Sequence, residues 1–229
     1  GGRFWEGELE TLLRELGEVS GQPGTAETLR EAIAVGNAMR RLVRDLYQAR
    51  SERPWSIPTE ELFVLLRAAE VVTAEAFLER GRAYLAAAES EPGPMKDKSR
   101  VIMVGAFCEQ PPLGLIKTIE RAGCYIVDDD LLLGNRFLTR DVPPDGDPVQ
   151  NLARTLVLHA VRSPVLFEPE IDGKRRLMPE RVKAARADGI IFAAPSFCDP
   201  ALLDRPMLRA GAEAAGVPCI AFQCSENTG

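Results

Sequence analysis

Four short apolar runs in the second half of the chain constrain its fold more than any other feature. They are "RVIMVGAF", "CYIVDDD", "IIFAAP" and "VPCIAFQC". Each has the length of a strand, and each is continuously apolar rather than alternating. Such runs belong to strands covered on both faces, which is the habit of parallel sheets. Helix-like segments separate them. "PPLGLIKTIERAG" opens on proline and closes on Gly123, as a short helix does. "DPVQNLARTLVLHAVRS", "LMPERVKAARADG" and "PALLDRPMLRAGAEAAG" are the others. Alternating strands and helices with short connections predict one parallel sheet with right-handed crossovers. The expected strands are 101–107, 124–129, 189–194 and 218–223.

The first part of the chain is different. Residues 1–92 read as a helical segment. Thr25 is a good N-cap, and Leu29, Ile33, Met39, Leu42, Val43 and Leu46 follow at helical spacing. "RPWSIP" interrupts, and a pattern capped by Thr59 then resumes in two pieces. Residues 93–99 form a linker, and 100–229 an α/β domain. The chain opens without a methionine and stops at "SENTG" directly after a strand-like run. It is therefore expected to be a fragment, with the C-terminal end of the domain truncated.

Composition narrows the function. The net charge of −6 argues against nucleic acid, whose phosphates call for an excess of Lys and Arg. No apolar run has the length of a membrane span, and the opening residues are not a signal peptide. The five cysteines are an odd number in a long chain, which fits a reducing cytoplasm better than a disulfide framework. There is no G-x-S-x-G, G-x-G-x-x-G or Walker A sequence. The single histidine, His159, sits inside a helix pattern.

Ligands bind parallel sheets beyond the carboxyl ends of the strands. Four groups collect there: Cys108 and Glu109; Asp128, Asp129, Asp130, Asn135 and Arg136; Cys198 and Asp199; and Cys224, Glu226 and Asn227. Cys124 and Cys219 start strands and read as core thiols. Cys198 has two readings. It packs beneath the helix that Asp199 caps and Pro200 begins, or it stands as a thiolate favoured by that helix's N-terminus. The Asp run also has two, a magnesium or ribose site and a helix-capping turn. No C-x-x-C pair declares a metal module.

"GAFCEQPPLGLIKTIERAGCYIVDDDLLLGNRF" and "PSFCDPALLDRPML" together resemble the benzoyl-CoA reductase / 2-hydroxyacyl-CoA dehydratase family. The similarity covers essentially the whole chain. The C-D-P motif is the family-wide signal. "CEQPP" and "DDDLLLGNRF" point to the C-type catalytic subunits of its ATP-dependent reductase branch. The resemblance implies a helical segment followed by a flavodoxin-like parallel sheet, and a [4Fe-4S] cluster in the complete subunit. It implies a related catalytic subunit and ATP-hydrolysing activator subunits as partners. The substrate would be an acyl-CoA thioester, with dearomatisation in one branch and hydroxyl elimination in the other. It makes Cys198 a cluster ligand and places the other two ligands in an upstream domain. Cys108 and Cys224 are then weaker candidates for metal. Glu109, Asp130, Asn135 and Arg136 are candidates for substrate binding. A non-enzymatic flavodoxin-like binding module is the alternative from another class.

Overall fold

The computed structural model describes residues 2–105, 112–130, 140–159 and 173–225. Among them are eight helices and four strands. The helices are α1 (Gly2–Ser20), α2 (Ala26–Glu52), α3 (Thr59–Ala68), α4 (Ala74–Ser90), α5 (Leu113–Arg121), α6 (Pro148–His159), α7 (Gly173–Ala185) and α8 (Asp199–Ala214). The strands are β1 (Ser99–Val104), β2 (Cys124–Asp129), β3 (Gly189–Pro195) and β4 (Cys219–Cys224). All pairings are parallel, and the order is β2-β1-β3-β4. No helix of the described residues is long and apolar enough to cross a membrane.

Residues of β1, β2 and β3 alternate between two buried layers, as the period of two requires. Ile102, Val104, Tyr125, Val127, Ile190 and Phe192 meet Met178, Ala185, Leu208 and Ala212 of α7 and α8. Val101, Met103, Ile126, Ile191 and Ala193 meet Ile116 and Ile119 of α5. The helical segment adds Trp55 to the first layer and Phe63 to the second. Its own core is built on Leu42, Leu46, Leu62, Leu66 and Phe77.

The β1–β2 register holds one irregularity. Val101 faces Ile126, but Ile102 faces Asp128, so Val127 has no opposite partner. This is a bulge in β2, which adds one residue to that strand only.

Three local expectations need correction. Thr25 does cap α2, in a reciprocal box with Thr28. Thr59, however, is the first residue of α3, and Pro58 occupies the cap position. The Thr59 hydroxyl instead donates to the Ile126 carbonyl at 3.3 Å, while its N–H donates to Glu120. It therefore ties α3 to the sheet. β4, expected to be covered on both faces, is an edge strand whose Ile220 is 60% exposed. No described helix covers that side of β4 as α5 covers β1 and β2. Cys124 and Cys219, expected in the core, are half-buried at the first positions of β2 and β4.

Prolines inside helices explain one close approach. Pro179 lies within α7 and lacks the N–H that would bond the Arg175 carbonyl four residues back. Gly211 of α8 packs against that carbonyl. A Cβ there would come within 2.0 Å of the oxygen. Lys174 and Asp204 join the same two helices at 2.6 Å.

Candidate functional site

Parallel pairing brings the ends of all four strands to one edge. Asp130 follows β2, Cys198 follows β3, and Cys224 ends β4. Pro195 faces Cys224 across the β3–β4 ladder. A tight turn then leads to Cys198. The Ser196 N–H and hydroxyl both donate to the Cys224 carbonyl, at 2.9 and 3.1 Å. The Cys198 N–H donates to the Pro195 carbonyl at 3.0 Å. Cys198 is buried, whereas its neighbour Phe197 is 93% exposed.

The helix boundary differs slightly from expectation. Cys198 itself is the N-cap residue of α8, Asp199 is the first helical residue, and no side chain caps the end. The proline of the motif stands in the first turn, where a missing N–H costs nothing. The C-D-P sequence thus places a thiol directly at a helix start.

The Asp run is occupied by protein partners. The Asp128 carboxylate accepts from Arg181 of α7 at 2.7 Å. Asp129 pairs with Arg50 of α2 at 2.6 Å and accepts from the Tyr47 hydroxyl at 3.0 Å. Asp130 accepts the Gly105 N–H at 2.8 Å. Burial alone would lower both guanidinium pKa values. Asp129 and Tyr47 outweigh it at Arg50, and Asp128 and Asp130 outweigh it at Arg181, so both are held above their ordinary value. Burial, then the Asp129 charge, pushes the Tyr47 phenol well up.

Asp128 and Asp129 end β2 with both carboxylates facing arginine, an arrangement that matches neither the helix-capping turn nor an open magnesium or ribose site. Sequence reasoning missed Arg50 and Arg181. One signal was available. Leu42, Leu46 and Arg50 follow at intervals of four on one stripe of α2, and all three are buried. A buried arginine on an apolar stripe demands a buried acid.

Cys108, Glu109, Asn135 and Arg136 lie outside the described residues. Among the described residues, no three Cys, His, Asp or Glu side chains form a metal-holding group. Iron–sulfur clusters are held by sets of thiolates. Among the described residues the edge supplies Cys198 and Cys224, which is suitable donor chemistry but an incomplete set. These residues alone therefore do not make a cluster site. Burial raises the pKa of the Cys124 and Cys219 thiols, and both stand at the opposite ends of their strands.

Comparison with known proteins adds the family. The chain is 43% identical over 229 residues to the C-subunit of benzoyl-CoA reductase from Thauera aromatica, covering 100% of this chain and 59% of that protein. It is 28% identical over 225 residues to the (R)-phenyllactyl-CoA dehydratase beta subunit of Clostridium sporogenes, covering 97% and 58%. It is 24% identical over 215 residues to the beta subunit of (R)-2-hydroxyglutaryl-CoA dehydratase from Acidaminococcus fermentans, covering 93% and 56%. The chain thus spans less than two thirds of the length of these relatives. The model of the 2-hydroxyglutaryl-CoA dehydratase D-component family matches residues 1–228, and with the parallel sheet and its C-D-P turn in place, the chain belongs to that family.

Proposed function

We propose that this chain is part of a catalytic-type subunit that dearomatises benzoyl-CoA to a cyclic dienoyl-CoA. Two electrons and two protons would be added to the ring, the electrons coming from an ATP-hydrolysing activator. In the complete subunit, Cys198 would ligate a [4Fe-4S] cluster, with Cys108 and Cys224 as further candidates. Glu109, Asp130, Asn135 and Arg136 would contact the thioester substrate. A related catalytic subunit would complete the assembly, and its compartment would be the cytoplasm. The observation that carries this reading is the 43% identity to a benzoyl-CoA reductase subunit across all 229 residues, against 28% or less to the dehydratase subunits.

A 2-hydroxyacyl-CoA dehydratase subunit is the second reading. The family model and the three dehydratase relatives favour it. The two are separated by assaying the anaerobically purified subunit, with its partner and electron donor, on both substrate types. Reduction of the aromatic thioester supports the first reading, and elimination of water from a 2-hydroxyacyl thioester supports the second. Absence of iron, sulfide and both activities would leave the binding-module alternative. Cys198→Ser is expected to remove the cluster's electron paramagnetic resonance signal and turnover, and Cys124→Ser to retain both. Full iron content and turnover in Cys198→Ser would make Cys198 a packing thiol.

A further inference from the structure

α1 carries two stripes, and the described residues cover one of them. Glu6, Leu9, Leu13 and Gly17 are half-buried, and the helix packs against α6. No residue of α1 is fully buried. The second stripe is Trp5, Leu9, Leu12, Leu16 and Val19, at intervals of four, three, four and three. That alternation is the pattern of a helix–helix seam, in which each side chain inserts between residues of a facing helix. No described residue covers it. Leu12, Leu16 and Val19 are 49%, 56% and 88% exposed, and Trp5 is exposed beside them. The attachment of α1 is loose as well. On its inner side Leu13 and Gly17 line a cavity of about 690 Å³ with Leu29 of α2 and Val149 of α6.

The charge beside the open stripe says what fits it. Glu8 and Glu15 flank it, at the positions that set partner choice in such seams. Arg14 reaches Glu15 at 3.5 Å and Glu18 at 3.0 Å, in pairs too exposed to contribute much, and Glu8 makes no described ion pair. The whole helix holds five glutamates against two arginines. A second copy of α1 is therefore a poor occupant. Laid antiparallel, it sets Glu8 and Glu15 against one another. Laid parallel, it offers them Leu13 and Ser20 rather than a cation. Size selects the source. The uncovered parts of four side chains come to less than the roughly 1,200 Å² of total surface that a stable interface between separate proteins buries. A helix tethered to the same chain needs far less, because linkage supplies an effective concentration on the order of mM. The length of the relatives leaves room for one, since this chain covers 59% of the benzoyl-CoA reductase C-subunit.

We propose that the stripe from Trp5 to Val19 is the docking site for an amphipathic helix of the same subunit, from a part outside these 229 residues, with lysine or arginine beside its apolar side chains where it meets Glu8 and Glu15. The inference holds whichever reaction the subunit performs.

The test uses the complete subunit with its partner. A benzophenone attached to Leu16→Cys is irradiated, and the cross-linked peptides are identified by mass spectrometry. The expected product runs at the mass of one chain and joins α1 to a segment outside these residues that carries Lys or Arg beside an apolar stripe. A product with the partner subunit, with a second copy, with these residues alone or with no protein overturns the proposal. Hydrogen exchange gives a second reading. Leu12→Glu with Leu16→Glu alters only side chains that no described residue covers, so an open face would leave exchange in α1 unchanged. The docked helix predicts a rise of about tenfold in α1, with α5 on the sheet unchanged. Glu8→Lys with Glu15→Lys predicts a rise of about threefold, from attraction turned to repulsion. Unchanged exchange in the first variant overturns the docking site, and unchanged or slower exchange in the second overturns the basic occupant. If the first variant does not fold, the cross-link and the charge reversal decide.

Discussion

Arg50 and Asp129 meet at 2.6 Å with side chains 1% and 2% exposed. The pair joins the helical segment to the sheet at a point where water does not screen it. The ring of Tyr47 lies 4.6 Å from the guanidinium carbon, and its hydroxyl completes the Asp129 contacts. Removing one partner leaves the other charge buried. Arg50→Ala is therefore expected to lower stability by about 3–5 kcal/mol, and Arg50→Met with Asp129→Leu to recover most of that loss. Urea denaturation at neutral pH measures both. A single variant within about 0.5 kcal/mol of wild type would mean that the pair is dispensable.

The tyrosines give a pH dependence with a definite sign. Burial raises the Tyr47 phenol first, and Asp129 adds to it. Burial, then the hydrogen bond to Glu61, raises Tyr84. The folded state thus favours the neutral phenol. This contribution is fully present below the ordinary value of 10.0 and is lost as pH rises through the elevated native values. Absorbance titration of the native chain should leave both phenols protonated just above pH 10, and Tyr47→Phe should remove one late-ionising phenol. Ionisation of Tyr47 and Tyr84 at the ordinary value in folded protein would contradict the buried network.

Gly211 tests the α7–α8 contact. Gly211→Ala raises helix propensity by about 1 kcal/mol, yet its methyl would meet the Arg175 carbonyl, which is backbone and cannot rotate away. Net destabilisation of about 1–3 kcal/mol is expected. Thermal unfolding reads it, and a stabilised variant would show that the helices separate freely.

The sheet was legible because apolar runs and proline-opened helices report local requirements. Ile102 and Ile190 must be covered wherever they sit, and both are. The edge position of β4 was not legible. Ile220 looks like any core residue in sequence, and its exposure depends on which helices reach that side. The partners of the acidic run were hidden for a similar reason. Arg181 is 53 residues from Asp128, and a chain reading orders residues by number, not by neighbour. The C-D-P turn was legible to within one residue, because proline marks the first turn of a helix while the cap depends on backbone angles at Cys198.

The unpaired Val127 works as a change of parity. Up to that residue β2 keeps step with β1, so Tyr125 and Val127 take the layer of α7 and α8, and Ile126 takes that of α5. After it, Asp128 stands opposite Ile102 and Asp129 opposite Met103. The half-step puts Asp128 on the side of α7, where Arg181 waits, and sends Asp129 to the other side and to Arg50. In an even count, each acid would face the wrong helix, because a one-residue slip exchanges the faces of every residue beyond it. The spare residue in β2 thus addresses two neighbouring carboxylates to two different arginines.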